Sequence, residues 1–208
     1  MKDKVIEDPD EFFNTNSEDQ KPSINEVTID RVRIRKAIMK LKNNAAPGPD
    51  GIPVSFLKTF VDYIIVPLEI IYRKSLERKI FPSIWKIMYI TPIRKPGKPK
   101  SVPSSYRPVA LTSHVGKVLE SVVKDQLQDF IETYGLLSDN QHGFRKQKSC
   151  VSQLLIHSEM IMKALENGNN LDSVYLDFQK AFDQSDFGVI LERCKHLGIT
   201  GKNRILVT

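Results

Sequence analysis

Cysteine is almost missing from these 208 residues: Cys150 and Cys194 stand far apart and neither has a partner at ligand spacing. That excludes a disulfide framework and gives no zinc signature. Long apolar runs are missing too. The longest, residues 63–72, is interrupted by Pro67 and Glu69 and is too short to cross a bilayer. The opening Met1-Lys2-Asp3-Lys4 is too polar for a secretory signal. The expectation is an intracellular protein, free or in a nucleoprotein, with no membrane contact and not secreted. There are no internal repeats and no low-complexity tracts. Apolar residues make up 40% of the chain and charged ones 27%, ordinary values for a folded protein.

Acids are scarce in one region and crowded in another. Residues 1–30 hold nine acids against three bases, whereas residues 73–124 hold twelve Lys/Arg against two acids, Glu77 and Glu120. The second region therefore carries a local net charge of +10 within a chain whose total is +6. Such a stretch suits a polyanion, because cations that neutralise phosphates release condensed counterions. It also suits a merely solvated surface.

Residues 1–26 have no periodicity and read as an acidic linker or frayed end. Thr28 is a candidate helix cap, with Asp30 in the first turn, Ile34, Ala37, Ile38 and Leu41 as an apolar stripe, and an end at Asn43-Asn44. Two prolines and two glycines between Pro47 and Gly51 then exclude helix and central strand, leaving a shaped loop. A second helical region carries Phe56, Phe60, Ile64, Leu68, Ile71 and Tyr72, with a bend at Pro67. Residues 85–95 and 106–112 read as strands. Between them Pro96-Gly97-Lys98-Pro99-Lys100 forms a cationic loop, which predicts an antiparallel hairpin.

Ser113 caps the next predicted helix, striped by Val118, Leu119, Val122, Val123, Leu127, Phe130 and Ile131 and stopped by Gly135. A polar segment over 138–148 precedes a helix with Val151, Leu154, Leu155, Ile161 and Leu165. Residues 171–178 read as a strand, and Asp186 opens a last helix that Gly198 ends. The fold class is α+β, helix-rich with one hairpin.

The most pointed chemistry lies in Val174-Tyr175-Leu176-Asp177-Phe178-Gln179-Lys180-Ala181-Phe182-Asp183. An apolar strand ending in Asp brings a carboxylate to a strand end, where hard cations for phosphoryl transfer are bound. By residue type alone the plainer readings prevail: Asp177 terminates a strand, Asp183 is a solvated acid and Phe182 a core aromatic.

That string resembles the first catalytic motif of reverse transcriptases of the non-LTR retrotransposon type. Four further segments resemble the same family in the same order: residues 43–52 around Ala46-Pro47-Gly48-Pro49-Asp50-Gly51, Trp85-Lys86 with residues 91–98, Ser105 to Thr112 with residues 117–120, and Gln141-His142-Gly143-Phe144-Arg145. Together they cover about residues 28–184. The resemblance implies the fingers and beginning of the palm of a right-hand polymerase, truncated: an N-terminal extension and fingers over 27–145 and the start of the palm over 146–208. It implies an RNA-directed DNA polymerase that uses two Mg²⁺ (or Mn²⁺) ions, an RNA template, a DNA primer and deoxynucleoside triphosphates. Such an enzyme works as a ribonucleoprotein in nucleus and cytoplasm.

The roles it implies fall on matching residues. Asp177 is the metal-binding catalytic carboxylate and the Phe178 backbone carbonyl a second ligand. Arg107, with Lys95 beside the longer loop, holds the triphosphate, and Phe182 is the steric gate against ribonucleotides. Gln141, Gly143, Phe144 and Arg145 lie along the template. His142 has no ligand-spaced partner, and Lys98 and Lys100 read as solvated.

Two departures stand out. Residues 184–188 lack the basic or histidine residue common there. The 31 residues after Asp177 contain no Tyr-x-Asp-Asp string. The expectation is a front fragment that is inactive alone; the alternative is a non-catalytic, basic RNA- or DNA-binding relic of such an element.

Overall fold

A computed structural model describes residues 22–178, 181 and 184–201. Its helices are α1 (Arg31–Lys40), α2 (Val54–Thr59), α3 (Val61–Arg78), the single turn α4 (Ser83–Lys86), α5 (His114–Thr133), α6 (Cys150–Glu166) and α7 (Phe187–His196). Two strands, β1 (Met88–Arg94) and β2 (Tyr106–Thr112), pair antiparallel. A helix-rich chain with one hairpin agrees with the α+β expectation.

The core forms where three amphipathic helices meet. α1 packs against both α3 and α5, with Ile34 and Ile38 fully buried between them. α3 supplies Val61, Ile65, Leu68 and Tyr72, and α5 supplies Val115, Val118, Leu119, Val122 and Val123. Each fully buried side chain of this size contributes about 1.5–3 kcal/mol. The Tyr72 hydroxyl donates to the Val115 carbonyl at 2.8 Å, which ties α3 to the first turn of α5. Burial pushes the Tyr72 phenol far above its ordinary range, so it stays a neutral donor. Trp85 meets the Tyr72 ring edge-on at 5.8 Å and the Phe81 ring at 5.4 Å.

Several local expectations are corrected. Asp30, not Thr28, caps α1, accepting from the Arg33 N–H at 2.8 Å. Thr28 is held in another way: its N–H donates to Gln126 Oε1 at 2.8 Å, and Gln126 Nε2 donates back to its carbonyl at 3.0 Å. That lays Val27 and Ile29 into the core. α1 ends at Lys40, ahead of the expected Asn43-Asn44, because Leu41 turns to an extended backbone.

The second helical region breaks at Phe60, and α3 then continues through Pro67 as one helix. Its buried face is Val54, Leu57, Val61, Ile65, Leu68 and Tyr72, so Phe56, Phe60 and Ile71 lie outside the core. Trp85 belongs to a helical turn, and the first strand starts only at Met88. A buried indole packed on Tyr72 outweighs its strand preference.

The largest correction concerns residues 171–178, which form no strand. Alternating apolar residues signal a half-buried strand, but a ladder needs a neighbour, and among the described residues none pairs with this segment. Val174, Tyr175, Leu176 and Phe178 are all highly exposed. α6 forms as expected, with the Ser149 capping box at its start. Even so it buries no residue, and Val151, Leu154, Leu155 and Leu165 face outward. α7 starts at the expected Asp186 cap. Beyond it, Ile199 bridges Ile24, and Gly198 lies so close to the Pro22 carbonyl oxygen that any Cβ would collide with it.

Candidate nucleic-acid and nucleotide site

Residues 87–112 contain five cations, Arg94, Lys95, Lys98, Lys100 and Arg107, and no Asp or Glu. The hairpin arranges them by register. Ile93 opposes Arg107 and Arg94 opposes Tyr106. Opposed residues of an antiparallel pair share a face, so Arg107 and Arg94 project from opposite faces. Pro92 opposes Pro108. The Lys95 N–H donates to the Ser105 carbonyl at 2.7 Å, and bonded and non-bonded pairs alternate from there. The two prolines therefore fall in a non-bonded pair, where a missing N–H removes no rung and the outward edge loses a donor.

The tip of the hairpin is braced. Lys95 Nζ donates to the Ser104 carbonyl at 3.0 Å, and the Tyr106 hydroxyl donates to the Lys100 carbonyl at 2.9 Å. Arg94, Lys98, Lys100 and Arg107 are exposed and form no ion pair among the described residues. Of the two residues expected to hold a triphosphate, Arg107 thus keeps its fork open, while the Lys95 amino group already serves the loop.

The base of the hairpin rests on the Pro-Gly-Pro-Asp-Gly loop. Ser113 Oγ donates to Asp50 Oδ2 and accepts from the Gly116 N–H at 3.2 Å, so Asp50 braces the cap of α5. Gly48 lies against the backbone of Thr112 and Ser113, where β2 turns into α5. Sequence reading recognised the loop and the Ser113 cap separately. It missed their contact, because an acid in a turn carries no mark of a partner 63 residues away.

The segment over 138–148 looks basic but is electrically closed. Arg145, only 9% exposed, gives Nε and Nη2 to the two Glu132 oxygens at 3.2 and 2.8 Å. Its Nη1 donates to the Ser138 carbonyl at 2.8 Å. Lys146 pairs with Asp129, and Lys148 lies 3.7 Å from Asp139. Gln141 Nε2 reaches the Gly143 carbonyl at 3.4 Å. His142 Nδ1 stands 2.7 Å from Ser152 Oγ, so the ring is bonded to the start of α6 and not to a metal-binding group. Phe144 is 90% exposed on a left-handed backbone, φ 60°.

The Arg145 hydrogen bond holds the Glu132 carboxyl below its ordinary range, and Lys146 does the same for Asp129. A depressed carboxylate contributes its stability above its unfolded value, near 4.3 for Glu, and loses it as pH falls through the lower folded value. The Arg145 Nε–H resonance is therefore expected to hold its shift as pH passes through the ordinary glutamate range and to move only at lower pH. A resonance unchanged at lower pH would contradict the clamp.

Asp177 and Phe178 are exposed, on a segment that is not a strand. A cavity of about 330 Å³ lined by Val27, Ile29, Arg73 and Leu76 lies elsewhere, and Asp177 is not in its wall. Among the described residues no group of three or more His, Cys, Asp or Glu gathers to hold a metal ion. One tether fixes the approach to Asp177: the Tyr175 hydroxyl stands 3.0 Å from His157 Nε2 of α6. Phe182 and Asp183 lie outside the described residues. No helix among the described residues is long and apolar enough to cross a membrane.

Comparison with known proteins matches residues 93–205 to the family model "Reverse transcriptase (RNA-dependent DNA polymerase)". The chain is 34% identical over 164 residues to the "Probable RNA-directed DNA polymerase from transposon BS" of Drosophila melanogaster, covering 79% of this chain and 18% of that relative. It is 32% identical to the corresponding protein of transposon X-element from the same fly, over 73% of this chain and 17% of the relative. To the "RNA-directed DNA polymerase from mobile element jockey" it is 30% identical, over 82% and 18%. The chain thus spans about a fifth of the length of these relatives. By the matched model and these identities, it belongs to the reverse transcriptase family, in the group carried by non-LTR retrotransposons.

Proposed function

We propose that this chain forms the fingers and the opening of the palm of a right-hand RNA-directed DNA polymerase. Residues 27–145 are the N-terminal extension and fingers, 146–208 begin the palm, and 1–26 are an acidic linker or frayed end whose Ile24 bridges Ile199. The observation that carries this reading is the acid-free hairpin with an unpaired Arg107, set among family motifs in family order. The complete enzyme copies an RNA template onto a DNA primer and works as a ribonucleoprotein in nucleus and cytoplasm.

In that enzyme Arg107 grips the triphosphate with a planar fork, which suits paired phosphate oxygens better than a lysine ammonium does. Lys95 acts beside it while closing the loop. Gln141, Gly143, Phe144 and Arg145 border the template. The Asp177 carboxylate and the Phe178 carbonyl are oxygen donors, the type that hard divalent cations prefer, so they fit Mg²⁺ or Mn²⁺. When bound, two such ions neutralise charge on the attacking and leaving oxygens. Phe182 fills the space a ribose 2′-hydroxyl would need.

Binding of single-stranded RNA at graded salt tests the reading. Affinity is expected to fall steeply as salt rises, and Arg107→Ala to flatten that slope by about one ion. Lys95→Ala is expected to change it less, since its ammonium is held at the Ser104 carbonyl. Salt-independent binding would remove the electrostatic basis of the proposal.

A further inference from the structure

Three cations in the 141–148 loop, Arg145, Lys146 and Lys148, invite the idea that it grips phosphate, but each is already engaged within the protein. Arg145 spends three donors on Glu132 and Ser138, Lys146 is paired with Asp129, and Lys148 donates to the Asp139 carbonyl. What the loop leaves open is apolar. Phe144 stands 90% exposed at φ 60°, a backbone region that disfavours a residue with a Cβ. Such a conformation persists only where neighbours hold it. Here the Arg145 clamp grips the residue after it, and Gln128 Nε2 donates to the Phe144 carbonyl at 3.2 Å. Gly143, just before it, has no atom within 4 Å of where its Cβ would stand.

We propose that this loop meets nucleic acid through the Phe144 ring, stacked on a base, and that Arg145 is a positioning residue holding the ring outward, not a phosphate ligand. This rests on the template-path reading above and divides the labour within it. The hairpin supplies charge through Arg94, Lys98, Lys100 and Arg107. The loop supplies a charge-neutral aromatic platform, a contact indifferent to base identity because every base has a π-face.

The test uses the 208-residue chain, a labelled single-stranded RNA and an abasic strand of equal length, each titrated at several salt concentrations. Phe144→Ala is expected to weaken RNA binding about tenfold with an unchanged salt slope and to leave the abasic strand unaffected. Phe144→Trp is expected to restore it.

Glu132→Gln separates the two roles of Arg145. A positioning role predicts weaker RNA binding, because the guanidinium loses its anchor. A phosphate-ligand role predicts tighter binding and a steeper salt slope, because a cation is set free; that result would overturn the proposal. So would equal loss on both strands in Phe144→Ala, or no loss while Arg107→Ala still weakens binding. In the last case RNA recognition by the hairpin stands and only this inference falls. If the unaltered chain bound neither strand, the functional reading itself would fall.

Discussion

No deoxynucleotide incorporation is expected from the 208-residue chain alone, with Mg²⁺ or with Mn²⁺, on a primed RNA template. Two-metal transfer needs several oxygen ligands held around both ions. Among the described residues Asp177 has no gathered acidic partner, and its segment pairs with no strand that would steady it. Placed in a complete polymerase of the same element, the chain is expected to support RNA-templated synthesis. Asp177→Ala should then drop incorporation to background, and Phe182→Ala should admit ribonucleotides. Primer extension assays with each variant read both effects. Template-dependent extension by the chain alone would overturn this expectation, since it would require a metal site beyond any gathered among the described residues.

Gly48→Ala is expected to carry the largest stability effect of any single methyl in the Pro-Gly-Pro-Asp-Gly loop. The new Cβ would stand 2.5 Å from the Thr112 carbonyl carbon, 2.6 Å from the Ser113 nitrogen and 2.7 Å from the Thr112 oxygen. All three are backbone atoms, so no side chain can swing away. Either the loop lifts, and Asp50 leaves the Ser113 hydroxyl, or the β2–α5 junction shifts. Overpacking of this sort costs about 2–3 kcal/mol. Gly51→Ala is the control: nothing lies within 4 Å of its Cβ, and only its φ of 68° opposes the change, at about 1 kcal/mol. Urea unfolding of both variants should show the larger midpoint shift for Gly48→Ala at an unchanged slope. A smaller loss at Gly48 than at Gly51 would mean the loop does not dock where it is placed.

The exposed apolar residues of α6 and of 171–178 mark the boundary of what this chain buries. Contiguous apolar surface on that scale ordinarily belongs to an interface. Its periodicity was readable, 3.6 in α6 and 2 in the Asp177 segment, because periodicity records which side chains share a face. What covers a face is not a property of the segment itself. The helix forms anyway, since its hydrogen bonds are internal and Ser149 caps it. The strand does not, since its hydrogen bonds belong to a neighbour. The same distinction explains why Tyr106–Thr112 was found to the residue, with its antiparallel partner close behind in the chain, whereas Trp85 was drawn out of the strand by a distant Tyr72.

By itself the sequence determined the family, the order of its motifs, the helices with local caps at Ser113 and Asp186, and the acid-free cationic stretch around the hairpin. These are carried by contiguous residues, where propensity, capping and charge count act over a few positions. Only the tertiary structure decided which cations remain free. Arg107 and Arg145 look alike in the sequence, each embedded in a motif of the same family. Folding brings Glu132 to one guanidinium and, among the described residues, no acid to the other, because the partner of a charge is chosen by the packing of α5 against its following loop and not by its neighbours in the chain.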